Sequence, residues 1–178
     1  WMRYSERVRE RVEVPEIRGI TRMPILRPDG AILSTPGYDP DTRLLYRPPE
    51  GSGGTEIPEK PSVEDVERAL EWLREAWTDH PFADRASWAN TLALTLSPAV
   101  RPLLGDANVP LCIIDATRAG SGKSLLAEIA GTIGTGQTPG TMSAPTADEE
   151  WRKQITAQLK KGERFIVVDD VSEIGRAH

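Results

Sequence analysis

Leu111-Cys112-Ile113-Ile114-Asp115-Ala116-Thr117-Arg118-Ala119-Gly120-Ser121-Gly122-Lys123-Ser124-Leu125-Leu126-Ala127-Glu128-Ile129-Ala130 runs from an apolar stretch, through a loop of small residues, into a helix-forming segment. Strand, glycine-bearing loop and helix in that order are the layout of a nucleotide phosphate loop. The composition follows from the chemistry. A triphosphate needs several backbone N–H groups aimed at its oxygens, and only small residues let the main chain curl closely enough to supply them. Gly120 and Gly122 meet that need, while the first turn of the helix adds unpaired N–H groups and the positive end of its dipole. Lys123 is expected to reach the β- and γ-phosphates, and Ser124 to place its hydroxyl on the Mg²⁺ that bridges them. Thr117, Arg118, Ala119, Gly120, Ser121, Gly122, Lys123 and Ser124 are thus the expected cofactor-binding residues, with ATP and Mg²⁺ as the cofactors. The loop departs from the full pattern G-x-x-x-x-G-K-[ST] at one point, since Thr117 stands where the first glycine is required.

The same chemistry asks for a carboxylate at the end of a neighbouring parallel strand. Phe165-Ile166-Val167-Val168-Asp169-Asp170 supplies it. Its apolar residues read as a strand buried on both faces, and Asp169 sits at the carboxyl end, where α/β sheets bind ligands. Asp169 lies 46 residues beyond Lys123, room for a helix, a short strand, a second helix and then this strand. Ser124 and Asp169 are the expected metal ligands. Asp170 is one methylene shorter than the glutamate that polarises the attacking water in many ATPases; it either does that work with a small shift of the water or only orients the γ-phosphate. Lys123, Asp169 and Asp170 are therefore the candidate catalytic residues.

The remaining composition sets bounds. At 178 residues and 38% hydrophobic, the chain has enough material for one core and a small accessory unit. No apolar run approaches the length of a membrane span and no start-of-chain pattern reads as a signal peptide, so the expectation is a cytoplasmic protein with no membrane partner. Cys112 is the single cysteine, expected as core packing in a reducing compartment. The net charge of −5 argues against a chain that coats itself in nucleic acid. Residues 1–27, however, carry seven arginines against four glutamates, a locally basic arm that either touches a phosphate backbone or is a solvated surface.

Residues 10–47 read as β structure. Pro28-Asp29-Gly30 separates two short apolar runs as a hairpin turn, and Asp39-Pro40-Asp41 is a second turn before Leu44-Leu45-Tyr46, which together predict a small antiparallel meander. Pro48 to Gly54 has the composition of a flexible linker. Ser62 and Asp65 form a capping box ahead of Val63, Val66, Leu70, Leu73 and Trp77 at helical spacing, and a second helix is predicted from about Asp84 to Pro98. Their Trp and Leu stripes are read as packing. Beyond the phosphate-loop helix, a short strand is predicted near Thr141-Met142-Ser143. Thr146 with Glu149 then reads as a capping box for a helix that presents Trp151, Ile155 and Leu159 and ends at Gly162. The implied organisation is a β-rich accessory region (1–48), a linker (49–61) and the amino-terminal part of a nucleotide-binding domain (62–178). Within the last, 62–105 is a helical lead-in and 109–178 the core.

Two stretches carry a resemblance. Ala116 to Ser124, together with Pro24-Ile25-Leu26-Arg27-Pro28-Asp29-Gly30 and Thr35-Pro36-Gly37-Tyr38-Asp39-Pro40, resemble ATPase proteins of phages, plasmids and integrated elements, often joined to primase modules and related to superfamily three helicases. Members of that family likewise place a threonine before the Arg-Ala-Gly-Ser-Gly-Lys-Ser loop, which makes Thr117 a family feature. They also carry an acidic helix start, here Asp148-Glu149-Glu150. Their Mg²⁺ aspartate is often followed by asparagine, where this chain has Asp170, so the water-activating role stays unassigned.

The resemblance implies an α/β fold, a P-loop NTPase core of AAA+-like parallel sheet truncated at the Walker B strand. It also implies an ATP-driven motor that acts on DNA as a homo-oligomer, such as a hexamer, during replication of a mobile element. A complete core of this kind continues past its second motif, so the chain is expected to be part of a longer protein and to be inactive as an isolated fragment. The first functional reading is an ATP-hydrolysing, DNA helicase or primase-associated module. The alternative is a nucleotide-dependent binding or scaffold module without turnover; a third, a small-molecule kinase, lacks a recognisable acceptor pocket or lid.

Overall fold

A computed structural model of the chain describes residues 15–51, 57–118 and 120–171. The basic segment before residue 15, most of the glycine-rich linker (52–56), Ala119 and residues 172–178 lie outside the described residues. The fold is mixed α/β, with small sheets and, among the described residues, four helices.

The amino-terminal unit holds β1 (Gly19–Thr21), β2 (Ile25–Leu26), β3 (Ile32–Leu33), β4 (Gly37–Asp39) and β5 (Leu44–Tyr46). The expected hairpin forms between β2 and β3: Gly30 takes φ 82° in the turn, and the Asp29 carboxylate accepts from the Ala31 N–H at 2.9 Å. The other sheet is not a pure meander. β5 pairs antiparallel with β4 but parallel with β1, and the Arg18 and Arg47 N–H groups extend the parallel ladder at 2.8 Å each. Local turn chemistry specifies the β2–β3 and β4–β5 reversals; β1 is placed by side-chain burial, its own Thr21 being buried, with no turn joining it to β5.

Ile25, Leu33 and Tyr46 form the small core of this unit, with Leu44 packed against them. Buried Asp39 is tied in on several sides. It accepts from the Thr42 N–H at 2.9 Å and the Thr42 hydroxyl at 2.6 Å, and it pairs with Arg27. The Arg27 guanidinium, then the Thr42 donors, hold the Asp39 carboxyl at about 2, below its ordinary range. Because the folded value is depressed, the stabilisation is present above the unfolded value near 4 and is lost as pH falls through about 2. Thermal unfolding of the wild type and of Asp39→Asn should therefore differ clearly at pH 6 and converge toward pH 2. A gap that stays constant down to pH 2 would contradict the pairing.

The helices follow. α1 (Val63–Glu75) begins at the expected capping box, with the Asp65 N–H donating to Ser62 Oγ at 3.1 Å and the Ser62 N–H to Asp65 Oδ2 at 2.9 Å. Only part of its apolar stripe is used, since Trp77 just beyond it is 4% exposed but Val63 and Val66 lie open. α2 (Arg85–Val100) is capped by Asp84, which accepts from the Ser87 N–H at 2.7 Å, and it does not stop at Pro98 as its sequence suggests. Pro98 removes one helical donor. Its ring, however, is buried beside α3 (Lys123–Thr135), and hydroxyls of Thr91, Thr95 and Ser97 donate to carbonyls one turn back at 2.7–2.9 Å. Burial against a neighbouring helix outweighs the lost bond.

α2 and α3 are the main helix pair. Their closest approach depends on Gly134, where an added Cβ would lie 2.5 Å from the Thr95 carbonyl oxygen and 3.2 Å from the Pro98 ring. Gly134→Ala is therefore expected to lower stability by about 2 kcal/mol, against the usual gain from replacing a helical glycine. Differential scanning calorimetry tests this, and an unchanged or raised Tm would contradict the packing. Gly136, in the left-handed region at φ 76°, caps α3 and rests against Arg22 of the β unit.

β6 (Gly140–Ser143), α4 (Asp148–Lys160) and β7 (Ile166–Asp169) complete a strand–helix–strand crossover. The two strands pair in parallel, with Met142 opposite Val168 and Ser143 opposite Asp169. Thr146 does not cap α4: the N-cap position is Ala147, without a side-chain bond, and the acidic first turn of Asp148, Glu149 and Glu150 is left to complement the helix dipole. α4 buries no residue, and Ile155 and Leu159 remain exposed.

The parallel sheet of the described residues thus has two strands, not the larger core that the sequence suggests. Leu111 to Ile114, expected as the strand entering the phosphate loop, pairs with no strand among the described residues; Leu111 is 81% and Ile113 59% exposed. Cys112, expected in the core, is exposed with them. β7, expected to be buried on both faces, is half-buried at all four residues. An apolar run carries a tendency to be covered, but a strand exists only where a neighbour takes its backbone donors and acceptors.

Candidate functional site

The site lies where the amino terminus of α3 meets the carboxyl end of β7. Gly120 and Gly122 both sit at positive φ, 73° and 85°, a region that side-chain-bearing residues rarely adopt. Gly122 is the N-cap of α3, and its carbonyl accepts the Leu126 N–H at 2.8 Å. No side chain caps this end, so the donors of the first turn, beginning at Lys123 and Ser124, are open to an anion. Ser121 Oγ is buried without a hydrogen-bond partner among the described residues.

Asp169 closes the other side. The Ser124 hydroxyl lies 3.3 Å from Asp169 Oδ2, a contact between residues 45 apart in sequence. The second carboxylate oxygen, Oδ1, accepts from the Asp170 N–H at 3.0 Å, and the Asp169 carbonyl accepts from Ala144 N–H at 3.0 Å, which extends the β6–β7 ladder by one bond. Asp170 reaches that position by adopting φ 56°. Aspartate and asparagine are the side-chain-bearing residues that tolerate this region best. The turn therefore accounts for either residue after the strand, independently of any role in activating water.

Lys123 is half-buried and forms no ion pair among the described residues. Thr117 and Arg118 are exposed and hold no side-chain hydrogen bond there, and Ala119 is outside the described residues. The structure thus brings Gly120, Ser121, Gly122, Lys123 and Ser124 to one helix end with Asp169 and Asp170 beside it. It leaves Thr117 and Arg118 on the approach.

The donor set fits a small hard cation. Mg²⁺ prefers oxygen ligands at about 2.1 Å in an octahedron, which sets neighbouring ligands about 3 Å apart, and it keeps several waters or phosphate oxygens. A hydroxyl and a carboxylate oxygen at 3.3 Å match two adjacent positions. Among the described residues no group of three or more His, Cys, Asp or Glu side chains is placed to hold a metal alone, so the ion needs ligands from elsewhere, as a phosphate-bound Mg²⁺ has.

One neighbour of the loop is not signalled by any sequence motif. His80, just beyond α1, lies against Gly122: a Cβ added there would be 3.7 Å from both Cε1 and Nδ1 of the imidazole. Spacing along the chain carries no hint of this contact.

Compared with protein-family models, with curated proteins and with solved structures, the chain matches none. Among the described residues no helix is long and apolar enough to cross a membrane.

Proposed function

We propose that the chain binds ATP as its Mg²⁺ complex at the amino terminus of α3, and that it belongs to an ATP-hydrolysing module. The observation that carries this is the meeting of Ser124 and Asp169 beside two positive-φ glycines. Hydroxyl, carboxylate and open amides converge at one point from segments that only the fold brings together. Lys123 stands at the first position of the helix, where its ammonium neutralises charge on the outer phosphates. Ser124 and Asp169 would hold Mg²⁺, which when bound withdraws charge from the phosphate oxygens. Asp169 in turn is oriented by the Asp170 N–H.

Calorimetric titration with ATP, with and without Mg²⁺, tests the reading. Saturable binding strengthened by Mg²⁺ supports it, and no heat of binding in either condition rejects it. Turnover separates the motor from the scaffold alternative, since Asp170 is exposed and its backbone geometry is explained by the turn alone. Phosphate release above background supports hydrolysis and rejects the scaffold alternative. DNA as substrate and a homo-oligomeric ring rest on the family resemblance alone.

A further inference from the structure

We propose that His80 is a phosphate-contacting residue of this site, donating an imidazole N–H to an oxygen of the bound triphosphate. The inference rests on the nucleotide reading above and adds a ligand contact from outside the loop.

The ring is held in place from behind. The His80 N–H donates to the Trp77 carbonyl at 3.0 Å and the Phe82 N–H donates to the His80 carbonyl at 2.9 Å, so the backbone is pinned on both sides. The imidazole packs on Phe82 with centroids 4.8 Å apart, Phe82 on Trp88 at 5.6 Å, and Trp88 on Trp77 at 5.5 Å. His80 is thus the outer ring of a row of four whose inner end, Trp77, is 4% exposed. The two inner contacts are edge-to-face, at 70° and 72°, and the imidazole lies tilted at 57° on Phe82; offset and edge contacts of these kinds fix ring orientation as well as position.

The front of the ring faces the loop. Its Nδ1–Cε1 edge lies beside Gly122, directly before the amides that would hold the anion. At 3.7 Å from an added Cβ the gap is ordinary packing distance, so His80 is not what demands glycine there; the φ of 85° is. Among the described residues the imidazole makes no hydrogen bond or ion pair, although it is half-buried. A neutral imidazole always carries one N–H donor, and a half-buried donor is normally satisfied. A phosphate oxygen over the helix end is the acceptor that this N–H would take when nucleotide binds.

The test is titration calorimetry of the whole chain with Mg²⁺ and two ligands, ATP and inorganic tripolyphosphate, on the wild type, His80→Ala and His80→Gln. His80→Ala is expected to weaken both ligands about tenfold, the effect of one hydrogen bond to a charged group. His80→Gln, which restores an N–H donor, should recover most of the loss while melting at the same temperature as His80→Ala. A purely structural role would move both variants' melting temperatures and would not respond to the donor. Wild-type affinity of His80→Ala for both ligands overturns the inference. So does a loss confined to ATP, which would place the ring on the nucleoside. If Lys123→Ala loses binding in the same series and His80→Ala does not, this inference alone fails. If the wild type binds neither ligand, the nucleotide reading fails and takes this contact with it.

Discussion

Lys123→Ala binds ATP at least about a hundredfold more weakly than the wild type, to the point where titration calorimetry detects no saturation, while its thermal unfolding stays within a few degrees. The size follows from what the side chain would do. An ammonium on phosphate oxygens makes charge-assisted hydrogen bonds worth about 1.5–3 kcal/mol each, and each 1.4 kcal/mol is tenfold in affinity. Stability should be spared because Lys123 forms no ion pair among the described residues and stands at the first position of α3. The buried face of that helix starts further along, at Leu126 and Ala127. Alanine also keeps the helix start intact, being the best helix former. Equal ATP affinity in the two proteins would remove Lys123 from the site and with it the phosphate-loop assignment.

How much of this was legible in the sequence depends on the range of the interaction. Gly120, Gly122 and Lys123 were readable because a loop-to-helix junction is local: the residues that need positive φ and those that donate follow one another along the chain. The α1 capping box and the Pro28-Asp29-Gly30 turn were readable for the same reason. Asp169 was legible as an acid ending an apolar run, but only its contact with Ser124 places it at this helix end. Pairing was not legible. That β1 runs parallel to β5, and that Leu111 to Ile114 takes no partner among the described residues, depends on which backbones come together, which apolar pattern does not encode. Pro98 reads as a stop because its cost is local and its compensation, burial against α3, is not. His80 is the extreme case, a functional candidate whose neighbours at the site are tertiary.

Asp169→Asn abolishes the Mg²⁺ dependence of ATP binding, and this outcome separates a metal-nucleotide site from a mere anion site. In the wild type, Mg²⁺ should strengthen ATP binding at least tenfold, because Ser124 and Asp169 supply two ligands to the ion that the phosphates already hold. Asparagine keeps the size and one acceptor oxygen for the Asp170 N–H, so the turn at φ 56° and the end of the β6–β7 pair survive. What it removes is the negative charge. Binding without Mg²⁺ should then equal or exceed that of the wild type, since a carboxylate no longer faces the phosphates, while the gain on adding Mg²⁺ disappears. Ser124→Ala is expected to lose part of the same gain, and the double variant should lose little more than Asp169→Asn alone, because both residues act through one ion and their effects cannot add. Losses that simply add would mean that hydroxyl and carboxylate act independently, with their 3.3 Å approach irrelevant to the ion. An undiminished Mg²⁺ effect in Asp169→Asn would place the metal elsewhere.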